Sequence, residues 1–295
     1  MRALKSTLED TGVNILPFHI DYVPEFFKKK AEIKLNETPD RVEQSMKQLR
    51  EMIKDDEDLA AIELEDMYLL VFLRFNKFNL SRTYSHLKIF DNFRKQNPDS
   101  FKKINFEECV KGITSEIISF LPWRCPDGCA ILLVQLDKWN PDELSVEALK
   151  RLLLVYIGQS LRSPMTQING IKIIADVKSN PIKHLKYCTP ENLYLLYYGG
   201  KECAPARYIS IHIINSSVTS KIGWFIIKQF LSEKLKKRIH FHSSPEKLLK
   251  YFPRSALPMK YGGDIISYDM TKWLKDVMEP EKIANLRGES VPIRK

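Results

Sequence analysis

The chain has 295 residues, 44% of them apolar and 28% charged, which is enough to build an ordinary hydrophobic core and excludes a disordered polymer. No apolar stretch approaches the roughly 18 residues of a membrane-spanning helix, the start lacks a signal-peptide pattern, and an odd number of cysteines, five, argues against a disulfide framework. The 46 basic and 37 acidic residues give a net charge of +9, and together these features predict a cytoplasmic protein with free thiols.

The chain up to about residue 97 has a helical pattern. Thr38 is predicted to be the N-cap of a helix whose first residue is Pro39. Apolar residues then recur at helical spacing. A second apolar segment follows at 67–74. Asn79 is placed to cap a further helix, and the sequence at 97–99 closes this all-helical part.

From about residue 129 the pattern changes to short apolar runs separated by helix-like stretches. The runs lie at 130–136, 171–177, 208–214 and 239–241, and the intervening helices at about 146–161, 190–200 and 218–231. This spacing predicts crossover helices and a largely parallel sheet.

Two of these helices carry more apolar surface than one core requires. Residues 152–157 are all apolar, and in the helix that begins at 218 only Lys221 and Lys228 mark a polar edge. The surplus apolar surface must face a bound apolar ligand, a membrane or a partner protein.

The basic excess is concentrated in one region. Residues 221–254 hold nine Lys or Arg against two Asp or Glu, whereas residues 1–66 hold 10 against 16. A basic segment of this kind is typical of contact with phosphate groups, on nucleic acid or on an anionic lipid surface, and a solvated helix face is the alternative. Its Lys and Arg residues are interleaved with bulky aliphatics and no reading helix is recognisable, so a nucleic-acid partner is not predicted.

Catalytic motifs are missing. The chain has no phosphate-binding glycine loop, no dinucleotide fingerprint and no serine nucleophile elbow, so we predict no enzyme and no catalytic residue. Cys125 and Cys129 lack a second pair at zinc spacing, and His240 and His242 lack a third ligand, so no metal site is predicted. Asp176 lies at the end of the second predicted strand and could be a general base, but no nucleophile is recognisable beside it, so we interpret it as a hydrogen-bonding group at the strand end.

Five motifs, in this order and spacing, resemble the CRAL-TRIO lipid-binding family, and most closely its branch with alpha-tocopherol transfer protein and cellular retinaldehyde-binding protein. They are Phe-Leu-Arg at 72–74 with Lys-Phe at 77–78, Gly-Ile-Lys at 170–172 with Asp176, Ile-His-Ile-Ile-Asn at 211–215, the segment 230–242, and Leu-Pro at 257–258 with Tyr-Gly-Gly at 261–263. The resemblance covers about residues 40–270.

The resemblance implies an α/β fold in which a helical N-terminal domain is followed by a mostly parallel sheet, flanked by helices that enclose an apolar lipid slot under a helical lid. The expected divisions are an N-terminal extension at 1–37, the helical domain at 38–98, the lipid-binding domain at 99–270, and a C-terminal helix with a polar tail at 271–295.

Site residues follow from matching this sequence to the family position by position. The phosphoinositide-binding residues would be Arg207, Lys234 and Arg238. Where the family has a further basic residue this chain has Asn76, and Lys77 could serve instead. The lipid-pocket residues would be Val134, Leu153, Tyr156, Ile157, Ile171, Ala175, Cys188, Leu196, Tyr208 and Ile211. The lid residues would be Ile222, Trp224, Phe225, Ile226 and Phe230.

The resemblance therefore implies a soluble carrier of a hydrophobic small molecule, such as a lipid, an isoprenoid, or a tocopherol- or retinoid-like compound. It would use no cofactor besides the apolar cargo, associate peripherally with membranes, and recognise phosphatidylinositol bisphosphates. The alternative is a non-catalytic adaptor that docks a protein partner on its exposed apolar helix.

Overall fold

The structure, a computed structural model, describes residues 23–60, 64–102, 116–178 and 181–268. The predicted C-terminal helix and tail at 271–295 lie outside the described residues, as does most of the predicted N-terminal extension.

The first part of the described chain is helical, as predicted. Its helices are α1 (Glu25–Leu35), α2 (Pro39–Lys54), α3 (Glu57–Ala60), α4 (Asp66–Phe75) and α5 (Leu80–Gln96). The side chain of Thr38 accepts a hydrogen bond from the backbone N–H of Arg41, and Asn79 caps α5 in the same way. The helices pack on a core that includes Leu49, Phe72 and Leu87.

The second part is built on a sheet whose described strands are β1 (Ile118–Phe120), β2 (Ala130–Gln135), β3 (Ile171–Asp176), β4 (Tyr208–Ile214) and β5 (Ile239–Phe241). Their spatial order equals their chain order. β1 pairs antiparallel to β2, and the remaining neighbours are parallel, which confirms the predicted largely parallel sheet. β1 was not predicted, and it precedes residue 129, where the predicted strand pattern begins.

Helices connect the strands. They are α6 (Val146–Ser160), α7 (Pro164–Asn169), α8 (Pro181–His184), α9 (Pro190–Tyr198), α10 (Val218–Ile227) and α11 (Glu233–Lys236), and a π-helical turn, Gly199–Cys203, follows α9.

The prediction of one helix over 218–231 was wrong at its end. α10 stops at Ile227, and the next residues form turns in which the N–H of Phe230 donates to the carbonyl of Ile227. Ser232 then caps α11. The chain must turn here to reach β5, and Phe230 therefore follows the lid helix rather than belonging to it.

One face of the sheet is covered by short 3₁₀ turns near the end of the described chain, at Pro245–Lys250, Arg254–Ala256 and Met259–Tyr261. Side chains on this face are fully packed. They are Ile131, Leu133, Ile174 and Ile214 from the strands and Leu248, Phe252, Leu257 and Tyr261 from the turns. The opposite face of the sheet lies under α6, α9 and α10. Several side chains on this face are only half-buried.

Helix α1 lies against the sheet-containing part. Phe27 packs on Met165 of α7, and Lys30 Nζ donates to Asn169 Oδ1 (2.6 Å) and to the carbonyl of Asp127 (2.9 Å). Gly128 has φ +85°, and a Cβ there would come within 2.7 Å of the Phe27 ring. Glycine at this turn therefore permits both the left-handed backbone and the close approach of α1.

Candidate functional site

The sheet face under α10 leaves its central apolar side chains partly exposed. Five of these side chains are intermediate in exposure, although they lie on the inner strands β2, β3 and β4. They are Val134, Ile173, Ala175, Ile211 and Ile213. Their side chains are neighbours, because Ala175 is in register with Val134 and Ile213, and Ile173 is in register with Ile211.

On the other face of the same strands the side chains are fully buried, and we call this the sealed face. Ile131, Leu133, Ile174 and Ile214 are at most 1% exposed. Because successive side chains in a strand point to opposite faces, the difference belongs to the faces and not to the strands. A gap accessible to solvent therefore lies between this sheet face and the helices above it.

Helix α6 and the segment after α8 form the facing wall. Leu149 and Leu153, four residues apart on one side of α6, are half-buried and pack at the edge of the core below, as does Tyr187. Lys150 Nζ donates to Asn192 Oδ1 (2.6 Å) and so links α6 to α9. The gap is thus bounded by elements that are tied to one another.

Helix α10 roofs the gap but is loosely packed. A reciprocal capping box between Ser217 and Ser220 starts the helix, and only Thr219 and Gly223 are buried within it. Val218 is 63% exposed and Phe225 61%. An apolar helix with so little buried surface has apolar area available on more than one side, as its sequence predicts.

The lid residues divide between contact and exposure. Trp224 lies 5.0 Å from Phe241 of β5, and Phe230 lies 5.4 Å from Tyr194 of α9, measured between ring centres. Ile222 is 38% exposed, and Ile226 is intermediate. Aromatic contacts therefore hold Trp224 of α10 against β5 and Phe230 against α9.

The predicted pocket residues fall into two groups. Those at the gap are intermediate in exposure: Val134, Leu153, Ala175, Cys188 and Ile211. Those in the core beneath are at most 8% exposed: Tyr156, Ile157, Ile171 and Tyr208. Leu196 stands apart, because it is 48% exposed on α9. The sequence analysis missed Ile173 and Ile213, although the period of two along β3 and β4 places them on the face of Ala175 and Ile211.

The turn that leads from β4 into α10 is fixed to the end of the sheet. Asn215 has a left-handed φ of +53°, and its Nδ2 donates to Asp176 Oδ1 (3.0 Å). The buried Asp176 also accepts from the hydroxyl of Tyr261 (2.9 Å). This confirms the interpretation of Asp176 as a hydrogen-bonding group at a strand end.

A second feature is a basic cleft of about 510 Å³. It brings together the predicted phosphoinositide residues with four further basic residues, and a single acidic residue, Asp127, is among the lining. The basic lining residues are Lys30, Lys34, Lys77, Lys201, Arg207, Lys234 and Arg238. The excess of positive charge makes the cleft suitable for an anion with several phosphate groups.

The two arginines of the cleft are held by the backbone. Arg207 donates to the carbonyls of Arg74 and Phe75 and, at 3.4 Å, to those of Gln167 and Ile168. Burial lowers the pKa of Arg207 to about 10, which leaves it protonated at neutral pH. Arg238 Nη1 donates to the carbonyl of Tyr208 (2.7 Å).

His240 of β5 and His242, which follows that strand, join His212 of β4 in a stack on the sealed side of the sheet. His212 lies 5.0 Å from His240 and 5.2 Å from His242 between ring centres, and its Nδ1 is 2.9 Å from His242 Nε2. Burial first, and then the two neighbouring imidazoles, lower the pKa of His212 to about 3. Within the described ranges, no group of three or more metal-ligating side chains is arranged to hold an ion.

Two smaller findings bear on the sequence predictions. The cysteines of the described residues, Cys125, Cys129, Cys188 and Cys203, are free thiols. In the part of the chain that the structure describes, no helix combines the length and hydrophobicity needed to cross a bilayer.

Fold, roofed gap and motifs agree with one class of protein. Residues 115–263 match the model of the CRAL/TRIO domain. The chain therefore belongs to the CRAL/TRIO family, which confirms the family resemblance.

Clavesins are among its relatives. Clavesin-1 of Rattus norvegicus is 30% identical over 258 residues, which are 86% of this chain and 72% of that protein. Clavesin-2 of Homo sapiens is 27% identical over 275 residues, 90% of this chain and 84% of that protein. These relatives do not belong specifically to the tocopherol and retinaldehyde branch, so that finer assignment stays a prediction.

One solved structure is also similar. The crystal structure of Sfh5 aligns with 86% of this chain and 92% of its own, at 15% identity and a TM-score of 0.44.

Proposed function

We propose that the protein is a non-catalytic carrier that holds one hydrophobic small molecule between the sheet and α10 and exchanges it at membranes. The observation that carries the proposal is the contrast between the two sheet faces. Apolar side chains on central strands are ordinarily sealed, and here one face is sealed while the face under the lid is open. Membership of a lipid-binding family supports the same conclusion.

The energetics of an apolar cargo require a membrane for exchange. Burying one CH₂ group contributes about 0.8 kcal/mol, so a lipid with roughly 15 buried carbons gains on the order of 12 kcal/mol relative to water. Escape into solvent is correspondingly slow. The exposed side chains Val218, Ile222 and Phe225 give the lid an apolar surface that can enter a bilayer while the gap opens.

The basic cleft makes the protein selective for bilayers that contain anionic lipids. Each Lys or Arg near an anionic surface contributes about 1 kcal/mol of attraction. Lys234 and Arg238 lie in the segment that follows the lid, so an anionic headgroup bound there is held beside the moving element. We propose phosphatidylinositol bisphosphates as that headgroup, and a cytoplasmic protein that associates peripherally with membranes.

Charge reversal in the cleft tests this recognition. We expect Lys234→Glu combined with Arg238→Glu to weaken binding to phosphatidylcholine vesicles containing phosphatidylinositol bisphosphate by tenfold or more, at about 1 kcal/mol per charge. Lipid transfer between such vesicles should slow in parallel. Cosedimentation and a fluorescent-lipid transfer assay measure the two effects.

The matched control is Lys236→Glu combined with Lys237→Glu, which changes the net charge equally on the same segment but outside the cleft. Because Arg238 also bonds the backbone, the single variant Lys234→Glu separates headgroup recognition from any effect on folding. Equal binding by both double variants would contradict the proposal.

A further inference from the structure

We propose that helix α1 forms one wall of the basic cleft, with Lys34 as a direct phosphate ligand and Lys30 as a positioning residue. The inference rests on the proposed function and deepens it. It makes the segment that the sequence analysis assigned to an N-terminal extension a part of the headgroup site.

The docking of α1 is specific. Phe27 fills the space that Gly128 leaves open, and Lys30 is held by Asn169 and by the carbonyl of Asp127. Lys30 Nζ also lies 5.7 Å from the centre of the Phe27 ring. These contacts engage two of the three N–H donors of Lys30 and fix the rotation of α1 about its axis.

With that rotation fixed, Lys34 faces the cleft one turn further along the helix. Lys34 is exposed, and no hydrogen bond or ion pair engages it among the described residues. Its nearby carboxylate, Glu37, is occupied by Arg74, whose Nη2 lies 2.6 Å from Glu37 Oε1. The ammonium group of Lys34 is therefore left for a ligand.

The other basic residues of the cleft show why Lys34 matters. Lys30, Lys201, Arg207 and Arg238 each have a protein acceptor. Lys77 and Lys234 resemble Lys34, because both are exposed and neither has a bonded partner in the described ranges. The uncommitted cations thus come from three separate segments: α1, the turn after α4, and α11.

This arrangement favours a ligand with several phosphates. The cleft of about 510 Å³ is larger than a single phosphate, and an inositol ring carries several phosphates at different edges, where they can meet cations from three segments. The ligand class is therefore an inositol polyphosphate group, either as a lipid headgroup or as a free inositol phosphate.

The test compares Lys34→Glu with Lys29→Glu in the full chain. Lys29 is an exposed lysine of the same helix outside the cleft, so the two variants have equal net charge. We expect Lys34→Glu to weaken binding to bisphosphoinositide vesicles about fivefold or more, and Lys29→Glu less than about twofold. Thermal unfolding should be similar for both variants, since each site is exposed.

Calorimetry with soluble inositol hexakisphosphate distinguishes the two ligand sources. Weakened binding to both probes supports a site that accepts either source, and weakened binding to only one identifies that source. Equal behaviour of the two variants with both probes overturns the role of Lys34. If Lys234→Glu with Arg238→Glu still weakens vesicle binding in that case, the proposed function stands; if it does not, both proposals fail.

Discussion

Arg207 shows how one residue can belong to a charged site without acting mainly as its ligand. Family resemblance assigns it to phosphoinositide binding, and it does line the basic cleft. Its guanidinium, however, faces backbone carbonyls at the end of α4 and in α7, so it joins the helical part of the molecule to the sheet-containing part. Its positive charge still contributes to the field of the cleft.

The lowered pKa of His212 predicts that the stability of the protein depends on pH. Its pKa is about 3 in the folded protein, against 6.5 for an ordinary histidine. The unfolded chain therefore binds more protons between these values, and the stability present above pH 6.5 is lost as the pH falls toward 3. Burial also lowers the pKa of His242, which acts in the same direction.

We expect the free energy of unfolding to fall between pH 7 and pH 5, by at most about 2 kcal/mol from His212 alone. Urea titrations at the two pH values measure the change. The variant His212→Phe should lose less stability over this range than the natural protein. The same loss in both proteins would show that His212 does not titrate as described. The charged groups that face His212 and His242 are Lys172 and Lys247, respectively.

At the scale of elements, every hydrophobic run predicted as a strand corresponds to a strand of the sheet, to within one residue at its end. The runs at 208–214 and 239–241 match β4 and β5, and those at 130–136 and 171–177 each extend one residue beyond β2 and β3. The apolar character of α10 was evident from sequence, but its end at Ile227 was not. Tertiary connection to β5, and not local composition, decides where that helix stops.

The contrast between the sheet faces gives a paired prediction on β3. Ala175→Phe adds volume into the gap, so we expect its free energy of unfolding to change by less than about 1 kcal/mol, because nothing packs there tightly. Ile174→Phe adds volume on the sealed face and should cost about 1–3 kcal/mol through overpacking.

Chemical denaturation of the two variants without added lipid measures both effects. Destabilisation at Ala175 equal to that at Ile174 would mean that both faces are packed alike, and the gap would then be absent.

At the scale of the whole molecule, the basic cleft is assembled from residues between positions 30 and 238. Sequence matching identified Arg207, Lys234 and Arg238, and suggested Lys77. It could not identify Lys30 and Lys34, since no local pattern shows that α1 docks beside the start of β4. The prediction of the pocket residues was limited in the same way. Periodicity shows which side chains share a face, but only the packing of the whole molecule shows which face is left open.

The central claim is that the space between the sheet and α10 holds an apolar molecule. Native mass spectrometry of the purified full chain tests it most directly, by comparing the intact mass with the mass after denaturation. The account predicts a native mass that exceeds the chain by one small hydrophobic compound, which organic extraction then releases for identification. A native mass equal to that of the bare chain, with no lipid taken up from vesicles, would contradict the account and leave the apolar helix as a docking surface for another protein.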